Sequence, residues 1–290
     1  MMHQAKLLSL LTGFLLLAAQ VWAQGTPQPL SDARCTETGA QACVDWTSGL
    51  AIALGTGAPA SWAKTAAQKN ISATRAARLD AARNLLELIK GINLNTSSDI
   101  QGAMVANDTV QTSIQGRLYG VRPVDRPRYF SDGSVQVKLE ARLREIIPEE
   151  LYLDAQGPPR ELGGPFGPVT GAAINTGAAY TGLVIDARGS GVKPAMAPKV
   201  FDPQEREVYG SAYVSREFAV SQGMVGYAKS IEAAAGNDRV KGNPALVKAT
   251  GVKGANQADL VISQADADAL RTLAQGQTFL REARVMIVLD

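Results

Sequence analysis

Histidine is the residue this sequence most lacks: the only one, His3, stands at the very start of the 290 residues. Its absence elsewhere excludes Ser-His-Asp and Cys-His catalysis and most zinc and iron sites, all of which draw on imidazole. Cysteine is scarce too, with only Cys35 and Cys43. Their spacing is not Cys-x-x-Cys and no histidine stands nearby, so a redox or metal pair is the lesser reading beside one small disulfide loop. An excess of either charge is also missing: 29 Lys plus Arg face 27 Asp plus Glu. Near-neutrality gives no electrostatic case for nucleic acid or an anionic membrane surface.

What is present at the N-terminus is an export signal. His3 and Lys6 precede the apolar run "LLSLLTGFLLLAAQVWA", which ends in small residues suited to cleavage after Ala23. The run is short for a membrane span and Gln24-Gly25-Thr26-Pro27 follows it rather than a basic stop-transfer segment, so no integral span is expected after cleavage. Removal of residues 1–23 takes one lysine and no acid, leaving a formal charge of +1. Oxidation of Cys35 and Cys43 suits an exported chain. The expected location is the periplasm or the outer envelope.

The remaining chain divides at a Gly/Pro-rich stretch. Residues 24–44 form an N-terminal segment with the disulfide loop, 45–153 a first module, 154–181 a linker and 182–290 a second module. The fold class is α+β: two small modules, each a mostly antiparallel sheet covered by one or two helices. In the first, "AARLDAARNLLELIKGINL" (76–94) repeats Ala77, Ala81, Leu85, Leu88 and Ile89 at helical spacing, with an Arg83–Glu87 pair outside and Gly91 placed for a left-handed cap. Its cover partners are a strand over 133–143, which alternates Val135, Val137, Leu139, Ala141 and Leu143 with polar residues, and strands over 110–120 and 49–57. Leu50, Ile52 and Leu54 supply the apolar face of the last. In the second module, strands are expected at 182–187, 244–252, 258–263 and 285–290, with a hairpin at 200–210. A helix is expected over 215–235, and a second helix is capped by Ser263 with Asp266.

Trp46 with "LAIALGTGAP", the 76–94 helix and "DGSVQVKLEARL" together resemble the N-terminal module of the flagellar assembly protein T family, which also occurs in small bacterial envelope lipoproteins. The likeness covers about residues 45–145. It implies an envelope protein built for contacts, since in that family the module helps build a periplasmic ring around the basal body. No C-terminal SH3-like barrel of that family is matched here.

Several patterns bear on chemistry. Gly189-Ser190-Gly191 lacks the Gly-Lys-Ser/Thr of a phosphate loop and reads as a turn. Glu149 and Glu150, with Asp154, offer paired carboxylates for a hydrolase but sit after Pro148 at a solvated boundary. Asp259, Asp266 and Asp268 lack calcium-loop spacing. The segment "YGVRPVDRPRYF" gathers Tyr119, Arg122, Arg126, Arg128, Tyr129 and Phe130, residue types favoured at protein contacts, and is the candidate interface; the alternative is a hairpin loop with its aromatics folded inward. The expected function is a non-enzymatic structural or adaptor protein without a cofactor, whose partners are other envelope or basal-body proteins or a second copy of itself. A periplasmic ligand- or glycan-binding module with its site between the modules is the second class, and a carboxylate-dependent hydrolase the third.

Overall fold

The computed structural model describes residues 30, 32, 34, 35, 41–153, 159–163 and 171–290. The export signal, Asp154 and much of the linker lie outside them.

The first module is built on a hairpin. Strands β1 (Ala42–Asp45) and β2 (Leu50–Gly57) pair antiparallel around a turn in which the Asp45 carboxylate accepts from the Thr47 and Ser48 amides and Gly49 takes φ +66°. Helix α1 (Ala66–Lys90) starts in a capping box of Thr65 and Gln68 and lays Ala73, Ala77, Ala81, Leu85 and Ile89, every fourth residue, onto the sheet. Two short helices follow, α2 (Ile100–Ala106) and α3 (Asp108–Gly120), then β3 (Arg128–Tyr129), β4 (Val135–Arg142) and α4 (Leu143–Ile146). The sheet order is β1-β2-β4-β3, antiparallel throughout.

Helix and strand touch backbone to backbone. A Cβ built on Gly55 would lie 2.1 Å from the Ala81 amide nitrogen, and one on Gly57 2.3 Å from the Ala73 carbonyl oxygen. The face of β2 under the helix therefore carries Ala51, Ala53, Gly55 and Gly57, in register with Ala141, Leu139, Val137 and Val135 of β4. The expectation that Leu50, Ile52 and Leu54 meet the helix is corrected: they share the opposite face with Arg142, Glu140 and Lys138. That face is covered by the N-terminal segment. The Cys35–Cys43 disulfide is formed, Cys43 and Ile52 are fully buried, and Asp32 and Arg34 meet Lys138 and Glu140 in a four-membered charge network. A loop closed over eight residues contributes roughly 2 to 3 kcal/mol by restricting the unfolded chain.

Other expectations for this module change as well. Residues 110–120 are helix, not strand: Asn107 caps α3, and Val110, Ile114 and Leu118 are four apart, a spacing that fits a helix face and an alternating strand equally. Gly91 ends α1 in right-handed conformation (φ −77°), and Glu87 pairs with Lys90 rather than Arg83.

The second module contains β5 (Gly182–Asp186), β6 (Val200–Phe201), β7 (Glu207–Tyr209), α5 (Arg216–Gln222), β8 (Gly226–Ala228) and α6 (Ile231–Ala235), then β9 (Pro244–Lys253), β10 (Asp259–Ile262), α7 (Gln264–Ala274) and β11 (Val285–Val288). Its sheet runs β7-β6-β10-β9-β5-β11-β8. The two-sheet α+β organisation is as expected, but pairing in this sheet is mostly parallel: only β9 with β10 and β6 with β7 are antiparallel. Parallel neighbours follow from crossovers that return the chain to the sheet by helices, and β11, buried along its whole length, shows the continuous apolar pattern of a central parallel strand. The expected helix over 215–235 is interrupted: Gly223 at φ +80° ends α5, β8 joins the sheet edge, and Ser230 caps a new helix. The Ser263–Asp266 cap of α7 forms as expected.

The modules are not loosely joined. Met196 and Ala197 amides donate to the Asn93 and Leu94 carbonyls (3.0 and 2.8 Å), Thr96 Oγ1 donates to the Lys253 carbonyl (2.6 Å), and buried side chains of both modules form one continuous core. Where the linker is described it is bound to the second module, through Arg160 N to Ala212 O, Ala173 N to Asp266 Oδ1 and Asn243 Nδ2 to Ala179 O.

Replacing Gly55 by alanine is expected to cost at least about 3 kcal/mol, because backbone must move to admit the methyl group. Gly116→Ala, at an exposed helical site with nothing within 4 Å, is expected to gain roughly 0.5 to 1 kcal/mol. Urea midpoints of the two variants check this, and equal effects would remove the close-contact reading. Acid should act on the N-terminal cover. Hydrogen bonds from Arg34, then Lys138, hold the Asp32 carboxyl well below the usual carboxylate range, and Arg34 holds Glu140 down. The stability these carboxylates confer is present above about pH 4 and lost as pH falls through their lowered values. Asp32→Asn should flatten that acid limb of the urea midpoint.

Candidate functional site

The candidate interface lies at the outer edge of the first sheet and is tied down by backbone bonds. Arg78 of α1 donates to the Val121 carbonyl (2.9 Å), Val124 N to Lys138 O (3.3 Å) and Phe130 N to Ser134 O (2.9 Å). A turn at 131–134 is set by the Asp132 carboxylate, which accepts from Ser134 N, and by Gly133 at φ +83°. With the backbone bound, the side chains point out: Tyr119 is 66% and Tyr129 58% exposed, and Arg122, Arg126 and Arg128 lie at the surface with them. Phe130 is half-buried, and Val124, not singled out in the sequence, joins the exposed set. Five of the six residues thus lie exposed on the first module, two of them in the edge strand β3.

Other sheet edges are closed or short. Beyond Ala42, where β1 stops, β2 is finished by α1: Asp80 Oδ2 accepts from Thr56 N (2.9 Å) and Asn84 Nδ2 donates to Leu54 O (2.7 Å). These two side chains occupy groups that another strand would otherwise pair. Among the other rim strands, β1 has four residues and β7 and β8 three each.

The residues with a claim to catalysis are dispersed. Gly189 and Gly191 both take φ +74° in a turn whose amide at Gly189 donates to Asp290 Oδ1 (2.8 Å), while Arg188 grips Asp186. Glu149 pairs with Arg216 and Glu150 faces solvent. Asp259 accepts from Lys199 N, and burial raises its pKa. Asp266 accepts from Ala173 N, and Asp268 pairs with Arg271. Asp202 is driven up by burial, yet hydrogen bonds from the Arg206 amide and from Arg271 leave its pKa lowered, as befits a structural ion pair with Arg271. Among the described residues, no group of three or more His, Cys, Asp or Glu could hold a metal ion.

A second feature is not legible in the sequence. Where the modules meet, a cavity of about 120 Å³ is lined by the Trp46–Gly49 turn, Arg142–Arg144, Ala195, Met196, the 222–227 connection and Arg239. Trp46 and Tyr227 meet edge to face with ring centroids 5.6 Å apart. The Tyr227 hydroxyl donates to Ala195 O (2.8 Å) and accepts from Ala195 N (2.9 Å). Two larger grooves, of about 440 and 530 Å³, flank the Gly276–Thr278 turn and are lined by side chains of both charges.

Among known proteins, residues 182–290 match a family model described as the second domain of Treponema pallidum Tp0624. The second module is similar to that domain, and the description names no activity. No curated protein matches the chain.

Burial raises the pKa of Tyr227 and of Tyr209, whose hydroxyl donates to Met224 O. In the unfolded chain both titrate near 10, so the stability their neutral forms confer is complete below that pH and is lost as pH climbs above it. Spectrophotometric titration should show Tyr209 and Tyr227 converting only as the circular dichroism of the fold collapses. Ionisation of both with the fold intact would contradict this burial.

Proposed function

We propose that the protein is an exported, non-enzymatic structural or adaptor component of the bacterial cell envelope, acting in a flagellum-associated or other periplasmic assembly. The observation that carries this reading is the edge at 119–130: two tyrosines, a valine and three arginines held outward by a bound backbone on a body whose two modules share one core. Aromatic and arginine side chains of this kind supply most of the energy at protein contacts, and a pinned loop loses little entropy on docking. The disulfide supports export to an oxidising compartment. The resemblance of residues 45–145 to the flagellar assembly module supports an envelope partner, such as a basal-body protein or a second copy of the chain.

The test is crosslinking in living cells with the full chain carrying an epitope after a spacer at Asp290. Reproducible adducts with envelope proteins are expected in the wild type and not in the triple variant Arg122→Glu, Arg126→Glu, Tyr129→Ala. These surface changes should shift stability by no more than about 0.5 kcal/mol each. Unchanged adducts in a folded triple variant, or recovery of the wild type unattached, would sink the reading.

A further inference from the structure

We propose that the seam between the modules is an anion site, in which Arg142, Arg144 and Arg239 receive a single carboxylate or phosphate group. Arg142, Arg144 and Arg239 all line one cavity, and no aspartate or glutamate lines it. Half-buried Arg239 spends Nη1 on the Gly223 and Ala283 carbonyls (3.0 and 2.7 Å) and one Nη2 hydrogen on Gln222 O. All three acceptors are neutral, and two of its five N–H groups, Nε and one on Nη2, have no acceptor among the described residues. Arg144 Nη1 likewise donates to a neutral carbonyl, that of Ser221 (2.7 Å). Only Arg142 approaches an acid, Glu145 at 3.7 Å, and both side chains are more than half exposed, so this pair is worth little.

A guanidinium withdrawn from water without an opposite charge is costly, and its planar fork is matched by a carboxylate or phosphate. Burial indeed pushes the pKa of Arg239 down, the mark of uncompensated charge. Trp46, Tyr227, Leu143 and Met224 are also among the lining residues, and partial exclusion of water there strengthens any ion pair formed. At about 120 Å³ the space suits one anionic group, whereas pockets that enclose a whole small molecule run to about 300 Å³ or more. The remainder of a ligand would project outward, as from a peptide C-terminal carboxylate or a phosphate monoester. The lining comes from both modules, so an occupant would bridge them. This site is independent of the contact edge: β3 pairs with the Val135 end of β4, and Arg142 is at its other end.

The experiment is calorimetric titration of the full disulfide-bonded chain with inorganic phosphate and, separately, with acetate, at low and high sodium chloride. Saturable binding of at least one probe is expected, weakened by salt because the attraction is ionic. The double variant Arg142→Gln, Arg144→Gln should bind at least tenfold more weakly while keeping the wild-type melting temperature without ligand. Arg239→Gln risks unfolding through the three carbonyls it serves, so the double variant is the deciding one. Tighter phosphate than acetate would mark a phosphate monoester as the natural group, and the reverse a carboxylate. No saturable binding of either probe, or equal binding by the folded double variant, would overturn the proposal.

Discussion

The seating of the long helix on the first sheet is set by the absence of two side chains. With no Cβ on Gly55 or Gly57, the backbone of α1 sinks onto β2 between Ala73 and Ala81. Such a short separation brings Asp80 and Asn84 within reach of the Thr56 amide and the Leu54 carbonyl, groups that longer side chains in the layer would have held out of range. Further along the same face of α1, Leu85 and Ile89 are fully buried. Full burial of each is worth about 1.5 to 3 kcal/mol, far more than a surface pair such as Lys90 with Glu87. The chain then leaves α1 through Ile92 and Leu94, both buried, and the carbonyls of Asn93 and Leu94 receive the second module. A substitution in β2 is thus expected to be felt at the seam.

The second module brings a different architecture to that seam. Its strands β5 and β11 run parallel and are buried on both faces, so this part of the interior is defined by continuous apolar runs, while β9, at the middle of the sheet, keeps one face wet. Docking against the first module fixes Trp46 on Tyr227 and closes the arginine-lined space between them. The approach across the junction is close: Gly254 at φ +84° lies so near Thr96 that any side chain there would collide with it. The joint that composition alone presents as a flexible tether is a packed interface.

Legibility in the sequence follows locality. The long α1 repeat, the alternation of β4 and the Ser263 cap are local patterns, and each appears where its residues place it. The strand expected at 110–120 fails because residues four apart satisfy helix and strand periods together, leaving only the Asn107–Asp108 start signal to decide. β8 escapes such patterns because three residues at an edge take their state from β11, sixty residues further on in the register Met286 to Gly226. The sense of the second sheet is not written in its strands, because pairing belongs to topology rather than to any one segment. The exposed stretch at 119–130 is legible as a cluster because its residues are contiguous, and the seam is not, because Trp46, Arg142, Tyr227 and Arg239 are scattered over both modules.

The position of β11 has a consequence for how the molecule comes into being. It fills the slot between β5 and β8, pairing Val285 with Leu183 across roughly a hundred residues, so loop closure there is slow compared with hairpin formation. Until that strand arrives, β5 and β8 have no direct bond to each other, and their apolar edges stand open. In the first module the β1–β2 hairpin and its contact with α1 are close in sequence, but β2 must wait for β4, which pairs with it across about eighty to ninety residues. Each half therefore closes on a latecomer, β4 in the first and β11 in the second, and the wait for that strand is the window in which a holding chaperone has the most to offer.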